Sequence, residues 1–106
     1  MVRSKEADMY VVTYLVQARP DQRQPFSVCW RTIAEAKRDH CGSLGSELFA
    51  QTDGTFAVLE KWPDKTSHEA CVLPENYRDL NSDLRGLCEA WEKTAEMELA
   101  ESVTPD

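Results

Sequence analysis

The stretch from Leu44 to Trp62 constrains the fold most. Leu44–Gln51 and Thr55–Trp62 both read as strands, and Asp53-Gly54 lies between them. An Asp-Gly pair tolerates positive φ and closes tight hairpins, so two antiparallel strands are predicted. On the second strand Phe56, Val58, Glu60 and Trp62 share one face, while Thr55, Ala57, Leu59 and Lys61 share the other. A helical pattern stands on either side of the hairpin. The chain is thereby limited to folds that mix helices with an antiparallel sheet.

Ahead of the hairpin, Met9–Ala18 reads as a strand rich in β-branched and aromatic residues. Both of its faces are apolar. Tyr10, Val12, Tyr14 and Val16 point one way, and Met9, Val11, Thr13 and Leu15 the other, as in a strand covered on both sides. Arg19-Pro20-Asp21 breaks it, and Pro25 suits a first helical turn. Phe26, Cys29, Trp30, Ile33 and Lys37 then recur at helical spacing, with Ala34 and Ala36 filling in and Gly42 as the stop.

Behind the hairpin, Pro63-Asp64 ends the sheet. Thr66 with Glu69 predicts a capping box that opens a second helix, which Pro74 interrupts or restarts. Tyr77, Leu80, Leu84, Leu87, Cys88 and Trp91 extend a helical stripe that reads as core. Residues 95–103 fit either a longer helix or a short final strand. The order β-α-β-β-α-(β) is the α+β, ferredoxin-like one: an antiparallel sheet with two helices on one face. Residues 1–8 read as a loose polar leader and residues 9–103 as a single domain. Two helices cover one sheet face only. The apolar second face of the first strand therefore predicts a homodimer.

Composition narrows the function. Twelve basic and nineteen acidic residues leave a charge of −7 on 106 residues, with no Lys/Arg run, so nucleic acid is not an expected partner. Met1–Asp8 lacks an apolar region behind it, and no stretch approaches a membrane span, which predicts a cytoplasmic protein with no membrane partner. Cys29, Cys41, Cys71 and Cys88 form no C-x-x-C pair, so reduced thiols without a disulfide are expected. His40, Cys41, His68 and Cys71 carry zinc-binding atoms. Their spacing does not support a site, and no metal is expected.

Gly42, Leu44, Glu47 and Leu48, followed by Phe56, Val58, Leu59, Glu60, Trp62 and Asp64, run in an order that resembles the antibiotic biosynthesis monooxygenase family. The resemblance covers roughly Tyr10 to Leu80. It implies two ferredoxin-like subunits pressed into a dimeric α+β barrel, each with a pocket between sheet and helices. Some members oxidise aromatic polyketides or quinol-like molecules with molecular oxygen and no metal or flavin, so no cofactor is expected. Other members degrade haem, isomerise small metabolites or have no established activity. Many carry a His about nine residues after the Trp, where this chain has Cys71, with His68 one turn earlier. The strands also lack the Asn that the haem-degrading branch relies on, which points away from haem.

Several residues could carry oxygen chemistry. Trp62 could wall a pocket and stack on a flat substrate, with Phe56 and Tyr14 beside it. Burial would raise the pKa of Glu60 and let it accept a phenolic proton; pairing with a nearby Arg, or a wet strand-edge position, is the alternative. His68, expected in a first helical turn, would be kept neutral by the helix dipole and could act as base. Cys71 shares its face, and the resemblance, in which it takes the place of the family's helix His, implies a position near the pocket. The expected function is a cofactor-independent monooxygenase acting on a small aromatic or quinol-like molecule and molecular oxygen. A non-catalytic small-molecule-binding or structural dimer of the same fold is the alternative.

Overall fold

The computed structural model describes residues 9–103, and the polar leader expected over residues 1–8 lies outside them. β1 (Tyr10–Ala18) leads into α1 (Arg23–Cys41) and the hairpin of β2 (Gly45–Ala50) and β3 (Phe56–Trp62). Then come α2 (Lys65–Glu69), a 3-10 turn over Glu75–Tyr77, α3 (Arg78–Gly86) and β4 (Cys88–Glu98). The strands form one antiparallel sheet in the order β2-β3-β1-β4. This is the expected ferredoxin-like α+β architecture, with the second helix divided in two.

Alternation along the strands sorts the sheet into two faces. Val16, Val58 and Phe56 are buried beneath the helices together with Phe26, Cys29 and Ile33 of α1 and Leu84 of α3, while Val12 packs with Tyr10 and Trp62 in a second cluster. The opposite face is open: Leu15 is 36% exposed, Met97 47% and Phe49 53%. β1 is thus apolar on both sides, but only one side is covered within the chain.

Local chemistry explains the element ends. Gly42 takes a φ of 78° and donates its N–H to the Lys37 carbonyl, which closes α1 as its sequence predicted. In the hairpin, Gln51 N–H donates to the Thr55 carbonyl at 2.9 Å and Gly54 sits at φ 92°. The connection is therefore a three-residue loop over 52–54 with glycine at its left-handed position, not a two-residue turn on Asp53-Gly54 alone.

Two expectations behind the hairpin are corrected. The capping box of Thr66 and Glu69 does not form. Asp64 caps α2 instead, its Oδ1 accepting from Ser67 N–H at 2.7 Å. The helical stripe also does not run on to Trp91, because α3 ends at Gly86 and β4 begins at Cys88. Cys88 pairs with Ala18 and Ala90 with Gln17, so Glu89 is an extra residue in the ladder. This bulge puts Cys88 and Trp91 on the same sheet face three positions apart, which imitates helical spacing. The ambiguous region from residue 95 is accordingly the end of a long strand that stops at Glu98.

The thiols divide into two kinds. Cys29 and Cys88 are free and buried, as expected, and burial pushes both thiols up. Cys41 and Cys71, expected to be reduced, instead form a disulfide across Cα atoms 5.2 Å apart. It ties the end of α1 to the segment that follows α2. The same bond takes both sulfurs away from the zinc arrangement considered above. No group of three or more potential metal ligands occurs among the described residues.

Candidate functional site

A cavity of about 310 Å³ opens between the covered sheet face and the helices. The sequence places charges in it by simple periodicity. Glu60 stands at an inward position of β3, between the buried Val58 and Trp62. Lys37 follows Ile33 by four residues on α1, so it lies on the stripe that faces the sheet. The two meet: Lys37 Nζ lies 2.9 Å from Glu60 Oε2. Trp62 Nε1 donates to the other oxygen, Oε1, at 3.2 Å. Glu60 is only 4% exposed, and its cost of burial is offset by the ammonium and the indole N–H together. Its partner is a lysine rather than the arginine considered from sequence.

His68 comes in from α2. Its ring lies 5.4 Å from Trp62 and 5.9 Å from Tyr10. Its Nδ1 is 4.0 Å from Glu60 Oε1, and among the described residues it has no hydrogen-bond partner. Burial holds the His68 pKa below the ordinary 6.5, helped by the charges of Lys37 and Lys93 and opposed by those of Glu60 and Glu69. The sequence attributed this neutrality to a helix dipole. His68 lies instead in the last turn of a five-residue helix, so desolvation is the cause.

Tyr14 reaches the cavity from β1, its ring 5.4 Å from Trp91 of β4. Its phenol is pushed up to about 12, by burial first and by the Glu60 charge next, with Arg85 pulling the other way. Tyr14 therefore keeps its proton across the physiological range and can donate a hydrogen bond.

The cavity thus brings together Glu60, Trp62, His68, Tyr14 and Cys71, all of them named from sequence. Cys71 contributes the wall of a disulfide rather than a thiol. Phe56 stands apart from the lining. It stacks on Phe26 at 5.3 Å, with the Arg23 guanidinium 4.7 Å above its ring, so it supports the core. Lys37 was missed as a site residue, although a cation inside an apolar stripe and a carboxylate inside an apolar strand face were both visible. Arg78, Asn81, Arg85 and Trp91 were also missed, since their place depends on where α3 stops and β4 starts.

Neither a protein-family model nor a curated protein sequence matches the chain. Solved structures do. A point variant of SnoaB, a cofactor-independent oxygenase from Streptomyces nogalater, matches with a TM-score of 0.72 at 12% identity, over 93% of this chain and 99% of that one. A Deinococcus radiodurans protein provisionally named an antibiotic biosynthesis monooxygenase gives 0.73 at 16%, over 92% and 98%. NE2512 from Nitrosomonas europaea, of unknown function, gives 0.70 at 14%, over 94% and 97%. At these identities the likeness establishes the fold alone.

Proposed function

We propose that this chain, which has the fold of the antibiotic biosynthesis monooxygenases, is a cofactor-independent monooxygenase of a small, electron-rich aromatic molecule. One observation carries the reading. A half-buried histidine, its pKa held below 6.5 and its buried Nδ1 without a hydrogen-bond partner among the described residues, faces an enclosed carboxylate on an aromatic wall. That is the equipment for taking a proton from a phenol in a dry pocket.

In this reading the substrate stacks on Trp62 and gives its phenolic proton to His68. Whichever ring nitrogen takes it, the new imidazolium charge faces Glu60 Oε1, 4.0 Å away. Lys37 and the Trp62 N–H hold that carboxylate in place. Tyr14, protonated up to about 12, donates to a substrate oxygen and is not the base. The phenolate passes an electron to dioxygen. One oxygen atom ends as a carbonyl where a CH2 stood and the other leaves as water, with all the electrons drawn from the substrate. Oxygen uptake by the chelator-treated protein, measured with a panel of hydroquinones and naphthols, should exceed autoxidation in buffer for at least one member. Uptake equal to buffer throughout would favour the non-catalytic small-molecule-binding or structural dimer.

The pH dependence follows from the sign of the His68 shift. The base works when neutral, and its pKa lies below 6.5. Activity should be constant through neutrality and fall only as pH drops through a midpoint below 6.5. An acid limb centred above that value would remove His68 from the role.

The open sheet face supports a homodimer formed through Leu15, Phe49 and their neighbours, an apolar patch of the kind that marks an interface. Light scattering of the wild type should give twice the chain mass, and Phe49→Asp should give a monomer. A wild-type monomer at micromolar concentration would contradict this. Among the described residues no helix is long and apolar enough to cross a membrane. We retain the cytoplasm as the compartment, and the disulfide supplies its test. Acid-trapped protein from its native cells should then show a substantial fraction of Cys41 and Cys71 as thiols.

A further inference from the structure

We propose that the cavity takes an aromatic ligand bearing an anionic group, a carboxylate or its equivalent, which is recognised by Arg78 and Arg85 on α3. The inference rests on the aromatic-pocket reading above and names the class of molecule that fits it.

The first observation is charge. The chain carries −7 overall, yet the cavity is lined by Lys37, Arg78 and Arg85 against a single acidic residue, Glu60. Lys37 is already committed to Glu60 at 2.9 Å. Among the described residues neither Arg78 nor Arg85 forms an ion pair. Two uncompensated guanidinium groups at a pocket wall of an acidic protein raise the local concentration of anions against the overall field.

The second observation is geometry. The Arg85 guanidinium sits over Trp91, its Cζ 4.6 Å from the ring centroid. A guanidinium over an aromatic face still has N–H donors to offer a planar carboxylate. The indole N–H of Trp91 is itself buried and unpartnered among the described residues. Asn81, one helical turn before Arg85, lines the same wall. Arg78, Arg85 and Asn81 therefore bring hydrogen-bond donors to this end of the cavity, whereas the other end presents His68 and Glu60.

The third observation is separation. In the sheet order, β1 lies between β3, which carries Glu60, and β4, which carries Trp91. Glu60 pairs with Val12 and Trp91 with Val16, so the two are also offset along β1. Tyr14 lies between these register positions. The site is thus laid out diagonally, with a proton-accepting end, an aromatic middle and an anion-binding end. A ligand that satisfies all of it has a phenol at one end of a fused aromatic plate and an acidic substituent at the other.

Isothermal titration with naphthoate and naphthol separates this inference from the oxygen chemistry, because neither measurement requires turnover. Naphthoate should bind about tenfold or more tightly than naphthol at neutral pH, in keeping with a charge-assisted hydrogen bond. The preference should shrink with added salt. It should fall to about twofold or less in the Arg78→Gln/Arg85→Gln double variant and be partly kept in Arg85→Lys. Thermal melts identify a variant that has failed to fold, and the salt series on the wild type then decides alone. Equal affinities, or a preference that survives the double variant, would overturn the anion site while leaving the aromatic pocket intact. Naphthoate preference without oxygen uptake on any substrate would uphold the anion site and reject the monooxygenase reading. Binding of neither ligand would overturn both.

Discussion

Reduction of the Cys41–Cys71 bridge should destabilise the fold by about 3.5 kcal/mol, the chain-entropy value for a loop of this length. The cysteines are 30 residues apart, and the loop between them contains the whole hairpin and α2. α2 has only five residues and none of them is buried, so the bridge adds to the packing of the His68 ring on Trp62 and Tyr10 in holding it against the body. Oxidised protein should melt about 15–25 °C above protein kept in a dithiol reductant, given the usual conversion for a domain of this size. The Cys41→Ser/Cys71→Ser double variant should melt with the reduced form. Because His68 lies three residues before Cys71, reduction should also lower oxygen uptake well below the melting temperature. Coincident melting curves for oxidised and reduced protein would show that packing of the segment, not the bridge, fixes it.

His68→Ala should reduce kcat by a factor of about 100 to 10,000, the usual range for a lost general base. Its effect on stability should be small, since the side chain carries no hydrogen bond that the substitution would break. Glu60→Gln tests the carboxylate separately. It keeps the shape while removing the charge that favours the imidazolium. The rate should fall by about tenfold or more, and the acid limb of the pH profile should move further down, because Glu60 is one of the groups that raise the His68 pKa. A purely structural role for Glu60 would lower the rate without moving that limb. Wild-type turnover in both variants would remove the pair from the chemistry.

The sequence made β1, α1 and the hairpin legible because each combines a clear period with a clear stop. Alternation in Phe56–Trp62 also placed Glu60 and Trp62 on one face, which is how half of the site could be read. The remainder depended on events that leave no local period. The bulge at Glu89 disguised a strand as a continuing helix and hid Trp91 and Arg85 from the site. The competition between Asp64 and Thr66 for the cap of α2 shifted His68 from the first turn to the last. The disulfide joins cysteines on separate elements, a proximity that only the tertiary fold creates. Cys71 was expected near the pocket and does lie there, but as half of a disulfide rather than as a reduced thiol.

The central claim is that this cavity inserts oxygen from dioxygen into an aromatic substrate using side chains alone. The direct test is turnover under heavy-isotope dioxygen in the presence of chelator, with the product analysed by mass spectrometry. The account predicts a product that carries one heavy oxygen atom, formed by the wild type and lost in His68→Ala. A product free of heavy oxygen, or labelled equally by wild type, His68→Ala and buffer, would contradict it.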